Sequence, residues 1–208
     1  MKPDLSNVNN IIFDLGGVLL NLDFEASIKA FKKLGMDDKV LNKQQAYADP
    51  VFYDLEVGRI PPEKFRERVR KVVYNPGATD QEIDDAWYAM ILDIPAERVN
   101  LLKNLRKKYK VFLFSNTNKI HMERLHEEFR EQHQIDFSSL FVKDFYSYQI
   151  NARKPDVESY QRVIEMSGVN PGESLFIDDL EKNIKGAEKA GLQTFWLKDG
   201  KEVNEIFT

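Results

Sequence analysis

The sequence predicts an α/β protein built on a doubly wound parallel sheet. Two observations carry that expectation: four short runs that are apolar at successive positions, and helical patterns lying between them. Three of the four runs end in Asp or Ser, which puts polar groups at the strand ends where ligands of such sheets bind.

Taken in order, NIIFD (10–14) is a strand covered on both faces, since its apolar residues do not alternate with polar ones. The Gly-Gly pair after Asp14 turns the chain sharply at the strand exit. From about Asp23 to Asp93 no buried strand is apparent. FEASIKAFKKLG sets Phe24, Ile28 and Phe31 on one helical face, and PPEKFRERVRKVVY is a second helical stretch. The expectation is therefore a helical lobe inserted at 21–93, with 1–20 and 94–208 forming the α/β core and the lobe lying over the first strand end like a lid. AERVNLLKNLRKKY follows, apolar at Val99, Leu102 and Leu105, and then the strand VFLFS (111–115) and the polar helix KIHMERLHEEFREQH. VKDFYSYQ reads as a short strand leading to a loop that presents Arg153, Lys154 and Pro155. Two further helices close at Gly168 and Gly191, and between and after them run SLFID (174–178) and QTFWL (193–197), both expected as buried strands.

Composition narrows the functional classes. The chain has 208 residues, 42% hydrophobic and 12% aromatic, enough for a full core. It has no cysteine, so disulfides and thiolate metal sites are excluded. No run approaches the roughly 18 apolar residues of a membrane span, and MKPDLSNVNN lacks a signal-peptide core, so a cytoplasmic protein without membrane contact is expected. The net charge of −4, with both signs interspersed, argues against nucleic acid but not against a small anionic ligand.

The candidate chemistry lies in Asp14, Ser115, Lys154 and the pair Asp178-Asp179, each at or just beyond a strand end. Singly, each has a plain reading. An Asp before Gly-Gly caps a turn, a Ser before Asn-Thr-Asn caps a helix, and adjacent aspartates face a helix N-terminus. Together they place three carboxylates, a hydroxyl and a cation on one sheet edge. Carboxylates that close repel one another, and a hard oxygen-loving cation, Mg²⁺ first among them, relieves the repulsion. A phosphoryl group would complete the set, with Lys154 and Ser115 binding its oxygens and Asp14 attacking phosphorus.

FDLGGVL, LFSNTN, ARKPD and FIDDLEKNIKGA, in that order, resemble the four motifs of the haloacid dehalogenase-like hydrolase superfamily over about 10–197. In detail they are similar to the branch holding bacterial α-glucose-1-phosphate phosphatases and the phosphatase domain of soluble epoxide hydrolase. The resemblance implies a Rossmann-like core with an inserted helical C1 cap. It further implies a Mg²⁺-dependent phosphatase of small phosphorylated metabolites, sugar phosphates among them, working through an aspartyl-phosphate. By the same resemblance Asp14 is nucleophile and metal ligand, Asp179 a direct ligand, Asp178 its water-mediated neighbour, and the carbonyl of Gly16 a further ligand. Asn183 orients that loop. Ser115, Asn116 and Lys154 bind phosphate. Glu56 and Arg59, flanking the Gly58 turn where a lid would dip toward the site, are expected from that position to contact substrate.

One position departs from the family pattern. Gly16 stands where most family phosphatases carry a second Asp as general acid and base, a loss worth about 10²–10⁴-fold in rate. Asp23 is a substitute acid or else the N-cap of the helix starting near Phe24. A non-catalytic phospho-ligand binder and a metal-independent dehalogenase are the alternative readings. The first has no need of Asp14, and the second none of Asp178-Asp179. His121 and His126 lack the spacing of a zinc site, and a solvated face is expected for His121; Trp87 is expected in the lobe's own core.

Overall fold

The computed structural model describes residues 2–36, 49–198 and 200–207; residues 37–48, within the span assigned to the lobe, lie outside the described residues. Strands β1 (Asn10–Phe13), β2 (Lys110–Ser115), β3 (Lys143–Tyr146), β4 (Ser174–Asp178) and β5 (Gln193–Trp196) form one parallel sheet in the order β3-β2-β1-β4-β5. The chain runs outward from β1 to β2 and β3 on one side, then returns to β4 and β5 on the other. This reversal opens a crevice at the carboxyl end of β1, where Asp14 sits.

The helices are α1 (Phe24–Lys33), α2 (Pro50–Glu56), α3 (Pro62–Val72) and α4 (Asp80–Tyr88) in the lobe. Around the sheet lie α5 (Ala96–Leu105), α6 (Lys119–His133), the single turn α7 (Ser147–Ile150), α8 (Val157–Ser167) and α9 (Glu181–Lys189). Successive strand residues point to opposite faces. Ile11, Phe13, Val111, Leu113, Leu175 and Ile177 pack with Val99 and Leu102 of α5 and with Met122 and Leu125 of α6. Ile12, Phe112, Phe114 and Phe176 pack with Tyr160 and Val163 of α8 and with Ile184 and Ala187 of α9. Covering on both sides is why these strands are apolar throughout.

QTFWL departs from its expectation. β5 is only partly buried and Trp196 is 37% exposed, because β5 is an edge strand paired with β4 alone. Phe24 also departs, at 50% exposed. The buried face of α1 is instead Ser27, Ile28 and Phe31, and Ser27 Oγ donates to the Ala86 carbonyl at 2.8 Å.

The lobe has its own apolar centre, in which the rings of Phe52, Phe65 and Trp87 lie 4.9–5.9 Å apart between centroids. Trp87 is buried there as expected, and Ile120 of α6 joins the cluster from the core. Local signals set its helix starts: Asp23 caps α1, and Thr79 and Glu82 form a reciprocal capping box at α4. The lobe joins the core through two antiparallel segments, with Asn21 N–H bonded to the Asp93 carbonyl and Asp23 N–H to that of Met90, both at 2.9 Å.

Candidate active site

The strand ends bring the charged residues together. Asp14 follows β1, Ser115 ends β2, and Asp178 ends β4 with Asp179 next. Lys154 enters from the loop between α7 and α8. Its Nζ lies 2.7 Å from Asp14 Oδ1 and 2.8 Å from Asp178 Oδ2, and the side chain is almost wholly buried. The rings of Phe114 and Phe176 flank the ammonium at 5.4 and 5.3 Å. Burial works against the lysine's charge, but Asp14 and Asp178 outweigh it and hold its pKa above the usual lysine value.

The carboxylates are poorly balanced by that one lysine. Oxygens of Asp14, Asp178 and Asp179 lie within 4.8 Å of one another. Burial pushes the Asp14 carboxyl well above its ordinary range; Lys154 pulls it back, while Asp178 and Asp179 add to the rise. Asp179 is raised as well, by burial and then by Asp178. Among the described residues this is the one group of three or more acidic or histidine ligand atoms clustered closely enough for a metal.

Asp178 and Asp179 differ in what surrounds them. Asp178 accepts from Lys154 Nζ, from the Leu180 N–H at 2.8 Å, and from Asn183 Nδ2 at 2.9 and 3.0 Å to its two oxygens. Asn183 is fixed in turn by Tyr160, whose hydroxyl donates to its carbonyl at 2.7 Å. Asp179 is less buried and takes a hydrogen bond from its own backbone. Its carboxylate lies so close to Gly17 (φ 75) that a Cβ there would stand 2.5 Å from Oδ2. The close approach and the left-handed backbone thus belong to Gly17. Gly16 has neither: a Cβ on it would meet only the flexible tip of Leu22, 2.7 Å from Cδ1.

Other expected residues are placed as follows. Ser115 is buried at the sheet edge. Asn116 brackets Lys154: its Nδ2 donates to the Lys154 carbonyl at 2.8 Å and its Oδ1 accepts from the Lys154 N–H at 2.9 Å. Asp23 Oδ1 accepts from the Glu25 and Ala26 N–H groups at 3.0 and 3.3 Å, an N-cap. Glu56 pairs with Arg153 at 2.6 Å, and Arg59 with Asp54 at 3.4 Å beneath the Tyr53 ring. His121 corrects its expectation, being 5% exposed and buried where the lobe meets α6. Its ring lies 4.8 Å from that of Trp87, tilted by 31°, and Nε2–H donates to the Trp87 carbonyl at 3.1 Å. Burial drives its pKa down to about 3, so it is neutral.

Sequence reasoning did not single out Ser147 or Tyr160. Ser147 Oγ accepts from the Thr117 N–H and donates to the Thr117 carbonyl, both at 2.9 Å, steadying the loop after Ser115. Neither contact leaves a local signal, because the partners are 30 and 23 residues apart.

A parallel sheet reversing at β1 thus gathers Asp14, a buried lysine and the Asp178-Asp179 pair at one edge. Residues 8–191 match the sequence profile of the haloacid dehalogenase-like hydrolases, and the chain belongs to that family. It is 30% identical over 202 residues to the D-ribitol-5-phosphate phosphatase of Bacteroides thetaiotaomicron, covering 97% of each chain. Among solved structures it resembles a haloacid dehalogenase family enzyme from the same organism, in complex with magnesium and inorganic phosphate. The TM-score is 0.89 at 36% identity, over 97% of this chain and 100% of the other. A HAD-like family hydrolase from Porphyromonas gingivalis matches with TM-score 0.84 at 34% identity, over 95% of this chain and 94% of that one. No described helix is long and apolar enough to cross a membrane.

Proposed function

We propose that the chain is a Mg²⁺-dependent phosphatase of small phosphorylated metabolites, with sugar and polyol phosphates as the substrate class. The observation that carries this reading is the buried Lys154 held between Asp14 and Asp178 beside a third carboxylate. The 30% identity to a D-ribitol-5-phosphate phosphatase supports the substrate class.

The donor set fits a hard divalent cation: three carboxylates whose oxygens lie within 4.8 Å, with the carboxyls of Asp14 and Asp179 raised by burial first and then by neighbouring carboxylates, Asp178 foremost. Asp14, Asp179 and the Gly16 carbonyl would hold Mg²⁺ directly. Asp178 already serves Lys154, Asn183 and Leu180, and would act through water. When bound, the ion offsets the negative charge that nucleophile and phosphoryl group bring to the same place.

The protein groups then do the following. Lys154 and Ser115 hold the phosphoryl oxygens. An Asp14 oxygen attacks phosphorus, the bond from phosphorus to the substrate oxygen breaks, and an aspartyl-phosphate forms on Asp14. Water attacks that phosphorus, inorganic phosphate leaves, and the Asp14 carboxylate is restored. The departing oxygen needs a proton that Gly16 has no group to give. Either it leaves as a stable anion or Asp23 donates through the oxygen that does not cap α1. In this reading the helical lobe acts as the cap that closes the site.

The test is phosphate release across sugar, polyol and aryl phosphates with and without Mg²⁺. Mg²⁺-dependent release from sugar or polyol phosphates is expected, and none from any substrate would overturn the reading. A steep dependence on leaving-group pKa is expected if no acid serves; a flat one that Asp23→Ala makes steep would assign the acid to Asp23.

A further inference from the structure

The residue before Lys154 is held by the lobe. Arg153 Nη1 lies 2.6 Å from Glu56 Oε2 at the end of α2, and both side chains are largely buried. The Arg153 guanidinium also stands 5.4 Å from the Tyr53 ring centre. Two contacts follow alongside. Asn151 Nδ2 donates to the Val57 carbonyl at 3.0 Å, and Gly58 (φ 68) approaches the Tyr148 carbonyl so closely that a Cβ would sit 2.2 Å from that oxygen. Lobe residues 53–58 thus grip the short arm 148–153, and the next residue is the lysine between the two aspartates.

That arm is held from the other side by the core, where Asn116 bonds both the N–H and the carbonyl of Lys154. Lys154 therefore stands between a fixed anchor and one that belongs to the lobe. A buried carboxylate without a cation is strongly disfavoured, so Arg153, 2.6 Å away, favours a closed seam around Glu56. Lys182 of α9 is the second cation near Glu56, and it too lowers the carboxyl's pKa against the effect of burial.

We propose that Glu56 and Arg153 form a latch that transmits seating of the lobe to Lys154, which makes Arg153 a positioning residue for the lysine. The proposal rests on the phosphatase reading above. It gives Glu56 a role in closure in place of contact with substrate. With the lobe lifted, Arg153 loses its partner and the arm 148–153 loses its lobe-side anchor, which leaves Lys154 to its core-side contacts with Asn116 and Asp178. Hydrolysis would then run at full rate only inside a closed site.

The experiment uses the full chain, with Glu56→Gln, Arg153→Met, their double variant, and the charge exchange Glu56→Arg with Arg153→Glu. Arg153→Lys, which keeps the charge but not the planar guanidinium, serves where Arg153→Met does not fold. Steady-state constants for p-nitrophenyl phosphate, inhibition by inorganic phosphate and urea unfolding midpoints are measured on each. A latch predicts that each single change lowers kcat by about 10- to 100-fold, as a misplaced catalytic group does, with KM and phosphate inhibition within about threefold of wild type. The double variant should be no worse than either single, and the charge exchange should recover most of the lost kcat. Multiplicative losses would overturn the latch. So would an Arg153→Met defect confined to KM and phosphate inhibition with Glu56→Gln neutral, which would make Arg153 a substrate ligand. The unfolding midpoints stand apart from activity: a wild type without phosphatase activity would end the functional reading. Additive midpoint shifts would end the latch whatever the activity.

Discussion

The carboxyl edge of the sheet and the helical lobe are both buried, and they are buried by opposite means. At the edge, Asp14, Asp178 and Lys154 are buried polar groups held by named partners, with three carboxylates gathered beside one lysine. In the lobe, Phe52, Phe65 and Trp87 fill an apolar centre, and charges such as Arg66 and Asp84, 2.6 Å apart, stay toward the rim. Burying an apolar ring stabilises a fold by about 1.5–3 kcal/mol, whereas burying an unbalanced charge costs free energy. The edge is therefore organised for chemistry at the expense of stability, and the lobe for stability. Substitutions in the two regions should fail in different assays.

The largest effect is expected at the edge. Chelation should remove phosphate release, and Mg²⁺ should restore it; Asp179→Ala should weaken Mg²⁺ binding, read by titration calorimetry, more than Asp178→Asn does. Asp178 is saturated by protein donors and Asp179 is not. The reverse ranking would exchange their roles.

In the lobe the expected loss is of stability. Phe65→Ala removes a fully buried ring and should cost about 3–5 kcal/mol in chemical denaturation. Its activity per folded molecule should fall far less than that of an edge variant. Equal losses in both assays would erase the contrast between the regions.

A smaller effect sits where the two regions meet. His121 is neutral, its pKa pushed from 6.5 down to about 3 by burial. The unfolded chain takes up a proton below about pH 6.5 that the folded one refuses, so His121's contribution is complete above that pH and declines on acidification. The slope is up to about 1.4 kcal/mol per pH unit. His121→Gln should flatten the fall in stability between pH 6.5 and 4.5; an unchanged slope would show that other groups set it.

The contrast between the regions also explains what the sequence made legible. β1, β2 and β4 stand out because strands covered on both faces are apolar at every position, and their carboxyl ends point to Asp14, Ser115, Asp178 and Asp179. What stayed hidden depends on partners far along the chain. Asn116 is expected at the phosphate, but its amide's pairing with Lys154, 38 positions on, is not visible in the sequence. His121 sits in a polar helix and reads as solvated until Trp87 covers it from the lobe. Glu56 is expected at the substrate and Arg153 in the loop before Lys154, and nothing in the sequence shows that the two pair across 97 positions. β5 is apolar enough to pass for a buried strand, and only the strand order exposes it as an edge.

The central claim is that Asp14, buried at a charge deficit, is the group that takes the phosphoryl. The most direct measurement is acid quenching of the Mg²⁺-loaded enzyme during turnover, with mass spectrometry of the peptide bearing Asp14, alongside melting of Asp14→Asn in chelator. The account predicts one phosphoryl group on Asp14. It also predicts that Asp14→Asn is inactive yet melts no lower than wild type, since it removes a carboxylate whose ionised form burial disfavours. A phosphoryl group on any other residue, or an Asp14→Asn variant that still turns over near the wild-type rate, would contradict it.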